Sequence, residues 1–207
     1  MYRLILDSST KLMWIGLVKE DELIDQYIRV AKRDHAKYMV DAIDQLLKKN
    51  HITIKEVDQF IVGAGPGSYT GLRVSGMVAK MLAYTTNKPL YKISSIFLLI
   101  SGYDGLTAGL IDARREQYFT GLYDGEKTIL EDKLLLFQAI QDDIIFKDAK
   151  IIILNEDNYI INVKKIINKM VKVDDIHGFV PNYLRETEAE RNLWNFGYHH
   201  WMIEVKF

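Results

Sequence analysis

Two carboxylates, a glycine-rich turn and a few histidines are the groups in this chain whose types and spacing could do chemistry. Asp7 closes the apolar run Leu4-Ile5-Leu6 and leads into Ser8-Ser9-Thr10, and Asp112 ends a later apolar run. Carboxylates facing a common cleft, with hydroxyls beside them, could hold magnesium and the phosphates of a nucleotide. The equally plain alternative is that Ser9 and Thr10 cap a hairpin through local hydrogen bonds. Between the strand-like Phe60-Ile61-Val62 and a long helical pattern lies Gly63-Ala64-Gly65-Pro66-Gly67-Ser68-Tyr69-Thr70-Gly71-Leu72-Arg73. Strand, glycine turn and helix start bring free N–H groups and the positive helix end together, which suits an anion. Asp7, Ser9, Gly65, Gly67, Ser68 and Thr70 are therefore the candidate nucleotide or anion contacts. Leu72-Arg73 stands where a P-loop has Lys-Ser/Thr, and the glycine spacing does not fit the dinucleotide fingerprint. A ligand-free strand-to-helix turn explains the glycines as well.

Metal and nucleophile chemistry find little support. No cysteine occurs, which excludes disulfides, thiolate catalysis and zinc–thiolate sites. His199 and His200 are adjacent, so they diverge by about 100° on a helix and face opposite sides in a strand. His51 and His177 are isolated and read as surface or turn residues, and no metal site is assigned.

The elements that must position these groups follow from periodicity. Leu4-Ile5-Leu6, Trp14–Val18 and Leu23–Val30 read as three consecutive strands joined by short turns. Asp34 stands at the N-cap of a helical stretch to Lys49. A strand at Phe60–Gly63, a helix over 71–85, a strand at Leu90–Ile93 and a short helix over Ser95–Tyr103 complete a β-β-β-α-β-α order. That order is the first half of an actin-like, sugar-kinase-like fold. A second unit starts near Gly102. Strands at Thr107–Asp112 and Gln117–Tyr123 flank Ala113-Arg114-Arg115-Glu116, with a helix over Leu134–Ile145, a strand at Ile151–Leu154 and a helix over Val163–Met170. The expected organisation is α/β, an actin-like (ASKHA) two-lobe fold with a small second lobe. Its divisions are 1–101, 102–182 and an aromatic-rich tail, 183–207, packing on the first lobe. Sequence repeats are absent.

With 207 residues, 48% hydrophobic and 27% charged, the composition is that of an ordinary globular protein. A formal charge of −1 argues against a chain that grips nucleic acid alone. No apolar run reaches the ~18 residues of a membrane span, so cytoplasm is the expected location.

The two long helices carry more apolar surface than one sheet needs. On the first, Ala36, Val40, Ile43 and Leu47 fall within about 60° and form a core stripe. Met39, Ala42 and Leu46 lie beside it as a second apolar group, near His35 and Tyr38. The second helix is apolar nearly all round: Val74, Met77, Met81 and Tyr84 leave a narrow polar sector with Arg73, Gly76 and Lys80. Such helices are either central or covered by a partner. The expected partner interface is His35, Tyr38, Met39, Ala42 and Leu46 on the first helix, with Arg73, Val74, Met77, Lys80, Met81 and Tyr84 on the second. Met39→Asp or Met77→Asp is expected to abolish a complex without unfolding the domain. The alternative cover is the aromatic tail.

Gly65-Pro66-Gly67-Ser68-Tyr69-Thr70-Gly71-Leu72-Arg73 closely resembles the signature of the bacterial TsaB family. Asp7-Ser8-Ser9-Thr10, Arg33-Asp34-His35-Ala36, Ile111–Glu116 and Pro181–Arg185 fall in the order of that family. The resemblance is strong to about Tyr123 and weak over 124–178. It implies a non-catalytic subunit of tRNA threonylcarbamoyladenosine synthesis. The helix pair would pack, as a four-helix bundle, on the equivalent pair of a TsaD-like transferase or, without that partner, of a second copy. A TsaE-like P-loop ATPase would be a further partner, with tRNA met only indirectly. No cofactor of its own is implied, though a nucleotide could be shared at the partner interface. TsaD-like enzymes carry a His-x-x-x-His metal pair on the first helix, and here His35 is followed by Met39. Arg114 would pair with a carboxylate across the cleft. A peptidase reading fails for want of a metal pair, a cysteine or a serine with its base. The alternatives are an actin-fold ATPase or small-molecule kinase, and an anion-binding module.

Overall fold

The computed structural model describes residues 1–30 and 34–184. Tyr2–Asp7 (β1), Leu12–Lys19 (β2) and Glu22–Val30 (β3) form the expected meander, antiparallel throughout. His35–Lys49 (α1) then carries the chain back to Val57–Gly63 (β4), which lies parallel to β1. Tyr69–Thr86 (α2), Leu90–Ile93 (β5) and Ser95–Ile100 (α3) follow.

Alternation along β1 explains why its run is apolar throughout. Leu4 and Leu6 join the core beneath α1 and α2, whereas Ile5 points into a second core on the opposite face. A strand covered on both faces has no solvent side to mark with polar residues. The second core takes Trp14 and Ile61 from the first sheet and Phe97 and Leu98 from α3.

Leu106–Asp112 (β6), Gln117–Asp124 (β7) and Lys127–Leu136 (β8) form another antiparallel meander. Phe137–Asp142 (α4) leads to Lys150–Ile153 (β9), parallel to β6. The second sheet, β8-β7-β6-β9, therefore repeats the β3-β2-β1-β4 order of the first. A duplicated meander-helix-strand unit is the architecture expected of an actin-like fold. Ile111, Phe119 and Ile152 join the second core, so both sheets contribute to it.

One expectation is corrected. Leu134–Ile145 is not one helix: β8 runs to Leu136 before the short helix α4, and a 3-10 turn follows at Ile144–Phe146. The chain then returns to the first sheet. Val163–Lys169 (α5) packs Ile166 into the shared core, and Val171–Lys172 (β10) pairs with β5 at the edge of the first sheet. Residues 185–207 lie outside the described residues, as does most of the tail expected to pack on the first lobe. Tyr183 and Leu184 are described, and they touch Tyr69 and the second core.

Candidate functional site

The β1–β2 loop and the glycine turn are locked onto each other. Ser68 N donates to Ser9 O at 2.6 Å, and Ser8 Oγ donates to the Gly71 carbonyl at 2.8 Å. Gly65 N donates to Ser95 Oγ at 3.0 Å, and Ser95 N returns a bond to Gly65 O at 2.9 Å. A Cβ on Gly71 would lie 1.8 Å from Ser8 O, and one on Gly63 would lie 1.9 Å from Asp7 Oδ2. Gly71 is needed because backbone meets backbone, Gly63 because the Asp7 carboxyl lies against it, and Gly65 adds a φ of +96°.

Of the expected nucleotide contacts, Asp7, Ser9 and Gly65 are buried in this packing. Asp7 Oδ1 accepts from Ser9 N at 3.0 Å and from Ser9 Oγ at 2.8 Å, while Oδ2 is buried without a hydrogen-bond partner. Burial pushes the Asp7 carboxyl above its ordinary range, with the hydrogen bonds opposing. The Asp7 carboxyl faces Ser9 and the backbone of Gly63 rather than solvent. Ser68 caps α2 by accepting from Gly71 N at 3.3 Å. Ser68 and Thr70 are exposed, and Gly67 is half-buried at the rim.

On α1 the expected core stripe is borne out in part: Ile43 and Leu47 are buried in the core, whereas Ala36 and Val40 are exposed. His35, Met39, Ala42 and Leu46 are buried in the chain's own core, with Met39 at 0% exposure, whereas Val40 is 54% exposed. His35 Nε2 lies 3.0 Å from Thr10 O, a group that only accepts, so Nε2 carries the proton. That bond ties the first turn of α1 to the β1–β2 loop. Tyr38 is half-buried beneath the Arg29 guanidinium, 4.0 Å from its ring. Asp34 does not cap α1 through its side chain; Arg29 holds its carboxylate at 2.7 and 2.6 Å. Of these five α1 positions only Tyr38 keeps part of its surface exposed.

α2 keeps an uncovered face. Met77 is 66% exposed, Tyr84 62% and Met81 46%, and they continue a stripe that begins at Tyr69 and Arg73. Tyr69, Thr70, Arg73, Val74 and Met77 line a shallow depression of about 210 Å3. Lys80, also expected at the interface, donates from Nζ to His177 O at 2.7 Å and to Phe179 O at 3.1 Å. The segment it holds runs along α2, a role that the irregular sequence from Asp174 to Pro181 did not signal.

In the second lobe, Arg114, Arg115 and Glu116 adopt φ of 65°, 54° and 57°, a left-handed turn between β6 and β7. Asp112 Oδ1 accepts from Arg114 N at 2.7 Å. Among the described residues Arg114 forms no ion pair, so the expected cross-cleft carboxylate is not found. Sequence reasoning also missed a buried polar cluster between the lobes. Tyr123 Oη donates to Asp132 Oδ1 at 2.6 Å and lies 3.2 Å from Ser94 Oγ, the cap of α3. Burial pushes the Asp132 carboxyl up to about 6, and also raises the Tyr123 phenol. Among the described residues no three His, Asp or Glu side chains converge as a metal site, and no helix is long and apolar enough to cross a membrane.

The duplicated two-sheet core and sealed glycine turn define an actin-like chain, and comparison with known proteins agrees. The family model of TsaD, tRNA N6-adenosine threonylcarbamoyltransferase, matches residues 28–155. YeaZ from Pseudomonas aeruginosa superposes with a TM-score of 0.70 at 20% identity, covering 88% of this chain and 99% of its own, a likeness of fold. The tRNA threonylcarbamoyladenosine biosynthesis protein TsaB of Bacillus subtilis is 30% identical over 90% of this chain and 95% of its own. TsaB of Haemophilus influenzae is 32% identical over 56% of this chain and 52% of its own. The chain belongs to the TsaB family, among the relatives that the transferase model describes.

Proposed function

We propose that this chain is a non-catalytic subunit of tRNA threonylcarbamoyladenosine synthesis that docks on a TsaD-like transferase through the exposed face of α2. The observation that carries the reading is the stripe of Tyr69, Met77, Met81 and Tyr84 left open to solvent, with Val40 exposed on the neighbouring helix. Large apolar side chains aligned on one helix face mark a surface that gains from being covered. Methionine adapts its shape to a facing helix, and tyrosine supplies a rigid anchor.

The choice of occupant rests on kinship. Because the transferase family model matches residues 28–155, a TsaD-like enzyme carries its own counterpart of α1 and α2. Two related faces can meet about a pseudo-twofold axis, each covering the other. A second copy of this chain offers the same face, so a homodimer is the state assigned to the free protein. The reading gives the transferase reaction to the partner, because Asp7 is walled off from solvent and already bonded. It assigns no cofactor to this chain; a nucleotide shared with the partner would meet only the rim residues Ser68 and Thr70. A TsaE-like ATPase and tRNA would join through the assembled complex, in the cytoplasm.

Titration calorimetry against a TsaD-like transferase tests the reading. Wild type should bind and Met77→Asp should not, while both chains show the same circular dichroism. Binding of Met77→Asp with wild-type affinity would refute it. Tight binding of ATP and magnesium by the isolated chain would instead favour an ATPase.

A further inference from the structure

The segment 176–184 has no regular secondary structure, yet its contacts along α2 are dense. Ile176 and Phe179 pack on the core beneath α1 and α2. Pro181 and Phe179 lie over Gly76, where a Cβ would come within 3.3 Å of Pro181 and 3.6 Å of Phe179. Asn182 N donates to Ala64 O at 2.7 Å, anchoring the segment at the glycine turn. Carbonyls outside a helix or sheet need donors, and the Lys80 ammonium supplies two of them.

The two ends of this segment touch the two ends of the α2 face. The His177 ring meets Tyr84 edge-on at 4.6 Å, and Tyr183 lies 4.6 Å from Tyr69. Both tyrosines stay substantially exposed, so each has one flank fixed and another free.

We propose that residues 176–184 are a strap built into the docking surface, with Lys80 as its clasp. The strap holds Tyr69 and Tyr84 in the rotamers that a helical partner meets. This proposal rests on the reading of α2 as the face that docks the transferase. Anchors ordered before contact lose less rotamer freedom on association, which raises affinity without adding contacts. Lys80 is therefore a positioning residue: it acts through the strap.

Four chains measured against the same transferase test it: wild type, Met77→Asp, Lys80→Met and His177→Ala. Lys80→Met keeps the aliphatic stem and removes the donors, and His177→Ala removes one ring contact at an exposed position. Each strap variant is expected to bind about tenfold more weakly, close to the freedom of one large immobilised side chain. In the free state, amide hydrogen exchange over 176–184 should quicken in Lys80→Met while the strands stay protected. Wild-type affinity in both strap variants, with binding lost in Met77→Asp, overturns the strap and leaves the docking reading standing. Wild-type affinity in Met77→Asp removes the docking reading and the strap proposal with it.

Discussion

Met39 and Met77 carry the same side chain on neighbouring helices but face opposite environments, one at 0% exposure and the other at 66%. Met39→Asp, expected from the sequence to spare the fold, instead places a carboxylate in the core. It should destabilise the protein by at least ~3 kcal/mol and lower the melting temperature sharply, while Met77→Asp melts like wild type. Asp132 gives a prediction in pH. Its carboxyl in the folded protein titrates at about 6 against an ordinary value of 3.8, because burial disfavours the charge. Between those values the folded state binds more protons than the unfolded one, so stability falls as pH rises through the window. Buried Asp7, raised for the same reason, acts in the same direction. The charged neighbours of Asp132 are Glu131, which raises its titration further, and Lys169, which lowers it. Asp132→Asn keeps an acceptor for Tyr123 and removes the titration. It should raise stability at pH 7.5 by ~2 kcal/mol and flatten the decline between pH 4 and 6, as read by urea unfolding.

Most elements were legible because their signals are local. The meander, α1, β4, α2 and β5 follow from period-two and helical patterns bounded by glycine, proline and polar turns. What periodicity could not fix is how the two adjacent apolar stripes on α1 are turned, with Met39, Ala42, Ile43, Leu46 and Leu47 buried and Ala36 and Val40 exposed. Ala36-Val40-Ile43-Leu47 and Met39-Ala42-Leu46 lie side by side, and the choice is made by partners outside the helix. His35 bonded to Thr10 O and Arg29 bonded to Asp34 set the rotation that buries Met39 and exposes Val40. The end of β8 was read as helix because Leu134-Leu135-Leu136 is a short apolar run, which periodicity alone does not assign, although β7 and β8 form a hairpin. At the glycine turn the residues were legible but their purpose was not: close approach to Ser8 and Ser9 exists only in three dimensions. Gly71→Ala should therefore destabilise strongly, by ~3 kcal/mol or more, since the new methyl meets the Ser8 carbonyl oxygen, whose loop is pinned to the turn by the bond from Ser68 N to the neighbouring Ser9 O. Chemical denaturation measures it, with Gly105→Ala, whose Cβ meets nothing within 4 Å but which has a φ of +75°, losing only ~1 kcal/mol.

At the scale of the whole molecule, one topological unit is used twice, with no sequence repeat to announce it. The halves are not equivalent. The first sheet has β5 beyond β4, and β10 extends that edge, whereas among the described residues the second sheet stops at β9. The return of the chain through α5 to β10 ties the lobes together. Two surfaces then compete as docking sites: the α2 face and an open groove of about 680 Å3 beside α4 and β9, lined by Phe137, Ile140, Ile144 and Ile151. The account chooses the first, because a related transferase can present a matching helix pair. Amide hydrogen exchange of this chain, free and mixed with a TsaD-like transferase, decides between them. Slowed exchange along 69–86 and 176–184, with 137–153 unchanged, is the predicted footprint; protection confined to 137–153 would contradict it.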